Sequence, residues 1–534
     1  MLQKLSPSWQ NALPYILLTA AVFLTYCNVY DNEFLFDDGL LITLNEYLRS
    51  WDTFGKLLTA STTEGAHIKG GFYRPVQNIL YFFIYQFFGL STFAFHLINI
   101  VLHAVNACLI FSLGKKLKFS HGATFCAALI WALHPIHTEA VTYMSSTADM
   151  LFVMFSLWGL LILLPDFTAR KIWVTIPLFL IGLLSKESMI VFPALVIVTM
   201  YFVKDTRLQP KTYLSTWPLW CLMLVYVAWR ITTPHFDGPG TYAVIFENPQ
   251  YKSLKVYSEN LSLRFYTFFA TLPAYLQLLV WPTDLRMERN FPIHLNMTPK
   301  AITGLIILLI VSAYILLIRT RKGLPLSWGL LWFGAAHFPN TGLIIVSNAL
   351  FLEHWMYLPS IGLFLGMAQS IFLALGEQRI QRAKPIIAGL VTIAALALAF
   401  ATHKQNMVWQ NPFTFYTNIF KHGEITARAH NNLAMAYSEK GQFDKAVVEY
   451  RRAIEISDTY AETRHNLAVA LLNLPDREER IPEALQELDR ALEIDPNFYR
   501  AYLALMNIAL YQKQMDKAEA YKKKAEDILN KNKP

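Results

Sequence analysis

A chain of 534 residues that is 54% hydrophobic, 14% aromatic and only 16% charged is too apolar for a soluble domain of its size, which excludes that class. Its net charge of +8 is modest, and its lysines and arginines fall in short segments between apolar runs and in the C-terminal region; this suits membrane topology and gives no nucleic-acid footprint. Cys27, Cys108, Cys126 and Cys221 lie within apolar runs without paired spacing, so neither a disulfide framework nor a zinc site follows from them.

The first apolar run, Leu13 to Tyr30, carries no charge and is long enough to cross a bilayer. No small-residue cleavage pattern follows it, so it reads as a retained first helix. Lys4 before it puts the hydrophilic segment 31–71 on the non-cytoplasmic side. That loop opens with Asn32-Glu33-Phe34-Leu35-Phe36-Asp37-Asp38-Gly39. Paired acids fixed beside a membrane can act as a general base, hold a divalent cation or position a sugar-phosphate, although Asp-Asp-Gly is also ordinary solvated turn chemistry. Phe72-Tyr73-Arg74-Pro75 then opens an aromatic stretch to Gly89, short for a crossing and suited to the interface, with Pro75 in a first helical turn.

A span from Phe93 to Leu113 ends at Lys115, Lys116 and Lys118, which mark the cytoplasm. The next, from about Ala123, emerges at His134-Pro135-Ile136-His137-Thr138-Glu139; another starts near Ala148-Asp149 and returns at Arg170 and Lys171. Two short apolar runs flank Ser185-Lys186-Glu187-Ser188, a charged stretch that is costly unless it faces water or a cavity, and Lys204, Arg207 and Lys211 follow. Further apolar runs cover 213–229, 265–281, 301–318, 326–338, 359–375 and 385–401, with segment 234–263 unassigned. Arg319, Arg321, Lys322, Arg379, Arg382 and Lys384 read as cytoplasmic, which leaves everything after Ala401 outside.

Past a connector at 406–426, residues 427–534 repeat. Ala427 to Tyr460 places Leu433, Ala434, Tyr437, Gly441, Ala446, Tyr450 and Ala453 at tetratricopeptide positions. A second unit begins at Ala461, takes an insertion around 475–482 and resumes at Ala484; a third runs from Tyr499 to a lysine-rich last helix. Such a stack offers a surface for a peptide, or for assembly.

The order of Phe36-Asp37-Asp38, Tyr73-Arg74-Pro75, Phe95-His96-Leu97-Ile98-Asn99, His134 to Val141, Ala148-Asp149, Ser185-Lys186-Glu187, Tyr357-Leu358-Pro359-Ser360 and terminal tetratricopeptides resembles the transmembrane-and-tetratricopeptide-repeat O-mannosyltransferases and their bacterial relatives, of the C-type glycosyltransferase superfamily. The resemblance implies an all-α, polytopic transmembrane bundle at 1–405 with about 11–13 spans, followed by a helical solenoid. It implies transfer of a sugar, mannose first, from a polyprenyl-phosphate donor to a protein hydroxyl outside the cytoplasm, in a bacterial cell membrane rather than the endoplasmic reticulum. Acceptor protein is expected to engage the repeats.

That chemistry needs a base for the acceptor hydroxyl and positive charge for the departing phosphate. Asp37 or Asp38 is the expected base, with Asp38 favoured because Gly39 lets its loop approach a ligand, and a divalent cation between the two is an open option. Arg74 is the first candidate for the phosphate, Lys186 the second; the alternatives are that Arg74 anchors in headgroups and that Lys186 pairs with Glu187. His134, His137, Glu139, Asp149, Glu187 and Glu353 are expected to line the cavity, the two histidines as helix-end caps or metal ligands, with His354 beside Glu353. A membrane-anchored scaffold and a transporter are the alternatives, and convergence of these motifs on one cavity separates them.

Overall fold

A computed structural model describes residues 7–68, 70–203, 210–233, 252–287, 289, 291–318, 324–344, 346, 349–423 and 425–531. Lys4, Lys204, Arg207, Arg319, Arg321, Lys322 and most of segment 234–263 lie outside the described residues. All described regular structure is helical, and the described residues divide into two compact units, those from 7 to 233 with 254–411, and 252–253 with those from 412 to 531.

The first unit contains helices α1 (Pro7–Thr25), α2 (Pro75–Phe88), α3 (Thr92–Lys116), α4 (His121–Leu133), α5 (Thr138–Thr142), α6 (Thr147–Leu163), α7 (Ala169–Ser185), α8 (Phe192–Val203), α9 (Pro210–Leu214) and α10 (Trp217–Thr232). It continues with α11 (Lys252–Glu259), α12 (Leu261–Val280), α13 (Pro299–Leu317), α14 (Leu324–His337), α15 (Pro359–Leu375) and α16 (Glu377–Asn406). Five segments among the described residues are long and apolar enough to cross a membrane: Thr92–Lys116, Met144–Leu163, Leu261–Val280, Pro299–Leu317 and Glu377–Trp409. Apolar helices of 10–17 residues, among them α4, α10 and α15, complete the bundle.

Helices that are apolar all round have no amphipathic signal to orient them, so small residues and buried polar groups set their packing. Gly329, Gly362 and Gly366 let α14 and α15 touch: a Cβ on Gly329 would come within 2.3 Å of the Gly362 carbonyl. The core between α1, α3, α4, α6, α7, α8, α14 and α15 is anchored by Trp131, Trp328 and Trp332. The indoles of Trp131 and Trp332 donate to the carbonyls of Tyr357 and Leu358 at 3.2 and 3.0 Å, which seats the Tyr-Leu-Pro-Ser turn that opens α15.

Asn406, fully buried at the end of α16, donates to the Thr25 carbonyl and the Asn28 side chain at 3.3 and 2.9 Å and accepts from Thr142 at 3.0 Å. The C-terminal ends of α1 and α16 are therefore at the same end of the bundle. The first loop starts there, since Glu33 N–H donates to the Gln410 carbonyl at 2.9 Å. This loop is a folded layer of one π turn, Gly39–Thr43, and short 3-10 turns, whose Leu41, Ile42, Leu48 and Leu57 pack on Tyr81, Phe82 and Ile84 of α2. Fourteen residues make α2 about 21 Å long, too short to span. Phe83, Phe87 and Phe88 face outward from it, as an interfacial helix requires.

The second unit opens with α17 (Pro412–Lys421) and holds three helix pairs: α18 (Ala427–Glu439) with α19 (Phe443–Ile456), α20 (Ala461–Leu472) with α21 (Arg477–Ile494), and α22 (Tyr499–Tyr511) with α23 (Met515–Lys531). Ala434, Ala446, Ala468, Ala484, Ala491 and Ala501 are fully buried where the helices meet, so the tetratricopeptide reading holds. The insertion around 475–482 is an added turn of helix: α21 has 18 residues against 14 in α19.

Candidate active site

The acidic motif sits on a turn whose shape is imposed. Phe36 has φ 51°, a left-handed conformation that costs a non-glycine residue about 1–3 kcal/mol and persists only where its surroundings enforce it. They do so through Asp38: its Oδ2 accepts from Leu35 N–H at 2.9 Å, and its Oδ1 accepts from the N–H and hydroxyl of Ser145 at 2.8 and 2.5 Å. Asp37 N–H donates to the Tyr143 hydroxyl at 2.9 Å, and the Tyr143 ring stacks on Trp409. The consequence is a division between neighbours. Asp38 is 1% exposed with both oxygens engaged, whereas Asp37 is exposed. Burial pushes the Asp38 carboxyl up to about 7, against the pull of its Leu35 and Ser145 donors.

This reverses the preference for Asp38 drawn from Gly39: the left-handed residue is Phe36, and Asp38 is the clamp that holds the turn to the segment before α6. It also disfavours a cation shared by the two acids, because N–H and O–H donors already point at both Asp38 oxygens. Among the described residues no three His, Cys, Asp or Glu side chains gather as a metal site.

The clamp continues into the next motifs. Gln77 Nε2 and the Tyr81 hydroxyl, both on α2, donate to the carbonyls of Ser145 and Met144 at 2.8 and 2.6 Å. Arg74 caps the same helix, and its Nε and one terminal nitrogen make a two-pronged pair with Glu187 at 3.1 and 2.6 Å. Lys186 turns the other way and meets both Asp149 oxygens at 2.7 Å, with the two side chains only 8% and 6% exposed. The expected alternatives, a Lys186–Glu187 pair and an Arg74 anchored in headgroups, are replaced by two crossed pairs between neighbouring segments. Each lone charge here would pay a large desolvation cost, and pairing with the residue across the gap removes most of it.

The histidine motif divides as well. His134 accepts from Ile136 N–H through Nδ1 at 3.2 Å and donates through Nε2 to the Leu279 carbonyl at 3.1 Å, so it is a cap, with no nitrogen left for a metal. His137 is fully buried with its ring 4.8 Å from Trp131 and 5.2 Å from Tyr357, and neither nitrogen has a hydrogen-bond partner among the described residues. Both are core residues, which corrects their placement at a cavity. Glu139 accepts from the N–H groups of Glu353 and His354 at 2.9 and 3.1 Å and from His354 Nδ1 at 2.8 Å. Glu353 is buried beside it and accepts from Arg286 N–H at 2.8 Å; burial and the Glu139 charge push its carboxyl up to about 8. A narrow crevice brings Asp149 and His354 together, with Ser188, Asn340, Trp355 and Pro359.

The predicted residues therefore form three groups: the Asp37–Asp38 turn, tied through Ser145 to the helix that Arg74 opens; the adjacent pairs Arg74–Glu187 and Lys186–Asp149; and His354 with Glu139 and Glu353, where His354 shares a crevice with Asp149. Sequence reasoning missed Tyr143, Ser145, Gln77 and Tyr81. It also missed His103 and Asn106, which with His96 and Asn99 form a buried polar stripe on α3 at helical spacing. His96 meets the Asn32 carbonyl at 3.3 Å, Asn99 the Val141 carbonyl at 3.1 Å, His103 the Tyr357 hydroxyl at 2.8 Å and Asn106 the Met150 carbonyl at 3.0 Å. That spacing was readable.

The tetratricopeptide family pattern, described as TPR repeat, matches residues 434–474. A Protein O-mannosyl-transferase of Caenorhabditis elegans is 23% identical over 84% of this chain and 63% of its own length. Drosophila melanogaster Protein O-mannosyl-transferase Tmtc3 is 23% identical over 96% of this chain and 63% of its own, and human Protein O-mannosyl-transferase TMTC4 is 24% identical over 84% and 66%. The chain spans just under two thirds of the length of these relatives. Over both the bundle and the repeats, the chain is similar to these protein O-mannosyl-transferases.

Proposed function

We propose that this chain is a membrane glycosyltransferase that moves a hexose, mannose first, from a polyprenyl-phosphate donor to a protein hydroxyl on the non-cytoplasmic side. The observation that carries the reading is the split acidic pair: a buried aspartate is spent on holding a strained turn, and the effect of that turn is to present its neighbour. Asp37 is the base that takes the proton from the acceptor hydroxyl as the hydroxyl oxygen bonds to the sugar's anomeric carbon. The bond from that carbon to the donor phosphate breaks, and the phosphate leaves as an anion. Arg74 and Lys186 lie in the same network and supply positive potential toward that charge, tempered by their carboxylate partners.

Sidedness is supported by the basic residues Lys115 and Lys116 at the far end of α3, and by the shared end of α1 and α16, from which both the first loop and the chain toward the repeats depart. The repeats are proposed to engage the acceptor, and the membrane to be a bacterial cell membrane, following the resemblance to bacterial relatives. A scaffold has no need to bury two ion pairs and a carboxylate-held histidine from separate segments, which favours catalysis over anchoring.

The test is transfer from a panel of polyprenyl-phosphate sugars to peptide acceptors by the purified chain in a bilayer. Asp37→Asn is expected to lower turnover about a hundredfold to ten-thousandfold with unchanged folding. Turnover near the parent's in that variant, with a donor the parent uses, would remove Asp37 from the mechanism.

A further inference from the structure

The two cations expected to hold the donor's phosphate are both committed: Arg74 is forked onto Glu187, and Lys186 meets both oxygens of Asp149. The crevice that reaches the Lys186–Asp149 pair contains one further nitrogen base, His354. Its Nδ1 is 2.8 Å from Glu139 Oε1, and that carboxylate also accepts the backbone N–H groups of Glu353 and His354. Two backbone N–H groups and the ring converge on this one carboxylate, a geometry in which Nδ1–H is the donor to Oε1. Among the described residues the ring's one hydrogen bond is made through Nδ1, and the side chain is only 14% exposed. Histidine held in this way is oriented at one nitrogen and available at the other. A ligand anion meeting Nε2–H would face a ring whose other N–H is already paired with Glu139.

The walls around it have two characters. Ser188 and Asn340 are polar, while Phe152 and Leu358 are apolar. A lipid phosphate has the same division, since its charged oxygens join directly onto a hydrocarbon chain. Building on the transferase reading above, we propose that His354 contacts a non-bridging oxygen of the donor's phosphate through Nε2–H, with Glu139 as the positioning residue that fixes the ring. Opening of the narrow crevice accompanies donor entry.

The experiment measures the affinity of the full-length chain in lipid nanodiscs for undecaprenyl-phosphate mannose, in the parent, His354→Gln, His354→Asn and His354→Arg, with the thermal midpoint of each recorded. Glutamine and asparagine keep a donor for Glu139 and lose the cation, and arginine keeps both. Loss of one charge-assisted hydrogen bond is expected to weaken binding about tenfold to a hundredfold in the two neutral variants. His354→Arg is expected to stay within about threefold of the parent, since its planar fork serves phosphate at least as well. Parent-like affinity in either folded neutral variant overturns the proposal, and so does an arginine variant as weak as the neutral ones. If the parent itself binds no polyprenyl-phosphate hexose, the donor reading fails and this inference falls with it, an outcome read without any variant.

Discussion

Ion pairs in the two units use the same residue types for different ends. In the bundle, Lys186 and Asp149 are 8% and 6% exposed, and each is the other's main solvent substitute. In the repeats, Arg451 and Glu483 pair at 48% and 31% exposure, where water still serves both. Taking two charges out of water costs several kcal/mol per ion, and a buried pair roughly offsets that cost without adding stability. An exposed pair costs little and contributes little. Stability thus explains neither pair well, and under the proposed transferase reading the buried ones serve the site: a protein that needed only a well-packed bundle would do as well with apolar side chains there.

Breaking a buried pair is the largest expected stability effect. Lys186→Met strands Asp149 in an apolar setting and is expected to cost about 3–5 kcal/mol, measured by denaturant or thermal unfolding in a bilayer mimic. The sharper experiment adds Asp149→Leu. The double variant is expected to recover most of that loss while transfer stays abolished; recovery of both together would make the pair a structural relic and end the contrast drawn here. Arg74→Ala follows the same logic, since it leaves Glu187 unpaired and is expected to disturb folding as well as donor binding.

In the repeats, by contrast, stability resides in apolar contact. Leu488 is fully buried among the alanines of the second pair, and Leu488→Ala is expected to cost about 2–5 kcal/mol by transfer and cavity terms. Protease nicking confined to 412–534 would report it, and a loss under about 1 kcal/mol would show that the stack collapses around the gap.

How far the sequence reveals all this follows from the same division. Repeats were legible residue by residue, because each alanine and leucine recurs at a fixed period and the period dictates the contact. The acidic motif was legible as a place but not as a division of labour. Asp37 and Asp38 are adjacent and identical in kind, and only Ser145, 107 positions away from Asp38, decides which one is buried. Partner choice in the charged motifs was hidden for a similar reason: Lys186 and Glu187 are neighbours in sequence, but an extended backbone at Lys186, φ −157° and ψ 137°, sends them to opposite partners. The polar stripe on α3 could have been found by extending His96 and Asn99 along the helix to His103 and Asn106.

A smaller effect tests the buried side through pH. Glu353, in the connection between α14 and α15, is raised from 4.5 to about 8 by burial and by the Glu139 charge, so at neutral pH it is held mostly as the neutral acid. A raised carboxyl contributes stability that is fully present below its unfolded value and is lost as pH rises through the folded value. Glu353→Gln mimics the neutral acid. Its stability at pH 4 is expected within about 1 kcal/mol of the parent, and it is expected to exceed the parent by a margin that grows as pH rises from about 4.5 to about 8 and is constant above that. A parent that gained stability relative to the variant between pH 6 and 9 would show that Glu353 is ionised and paired with Arg289 instead.

The smallest expected effect is at the surface, and its size is the point. Arg451 lies on α19 and Glu483 on α21, so their pair joins neighbouring repeats and is the kind of contact that looks important in a solenoid. Both side chains keep water, and ordering two long side chains into one geometry offsets most of the Coulomb gain. Arg451→Gln is therefore expected to change stability by less than about 1 kcal/mol, falling toward zero as ionic strength rises and the Debye length shrinks from about 10 Å at 0.1 M to about 3 Å at 1 M. Lys186→Met should show no such salt dependence, because the charges it separates are shielded from the ions. A cost for Arg451→Gln that matched Lys186→Met and survived 1 M salt would erase the distinction between the two units, and with it the argument that the buried pairs are kept for chemistry.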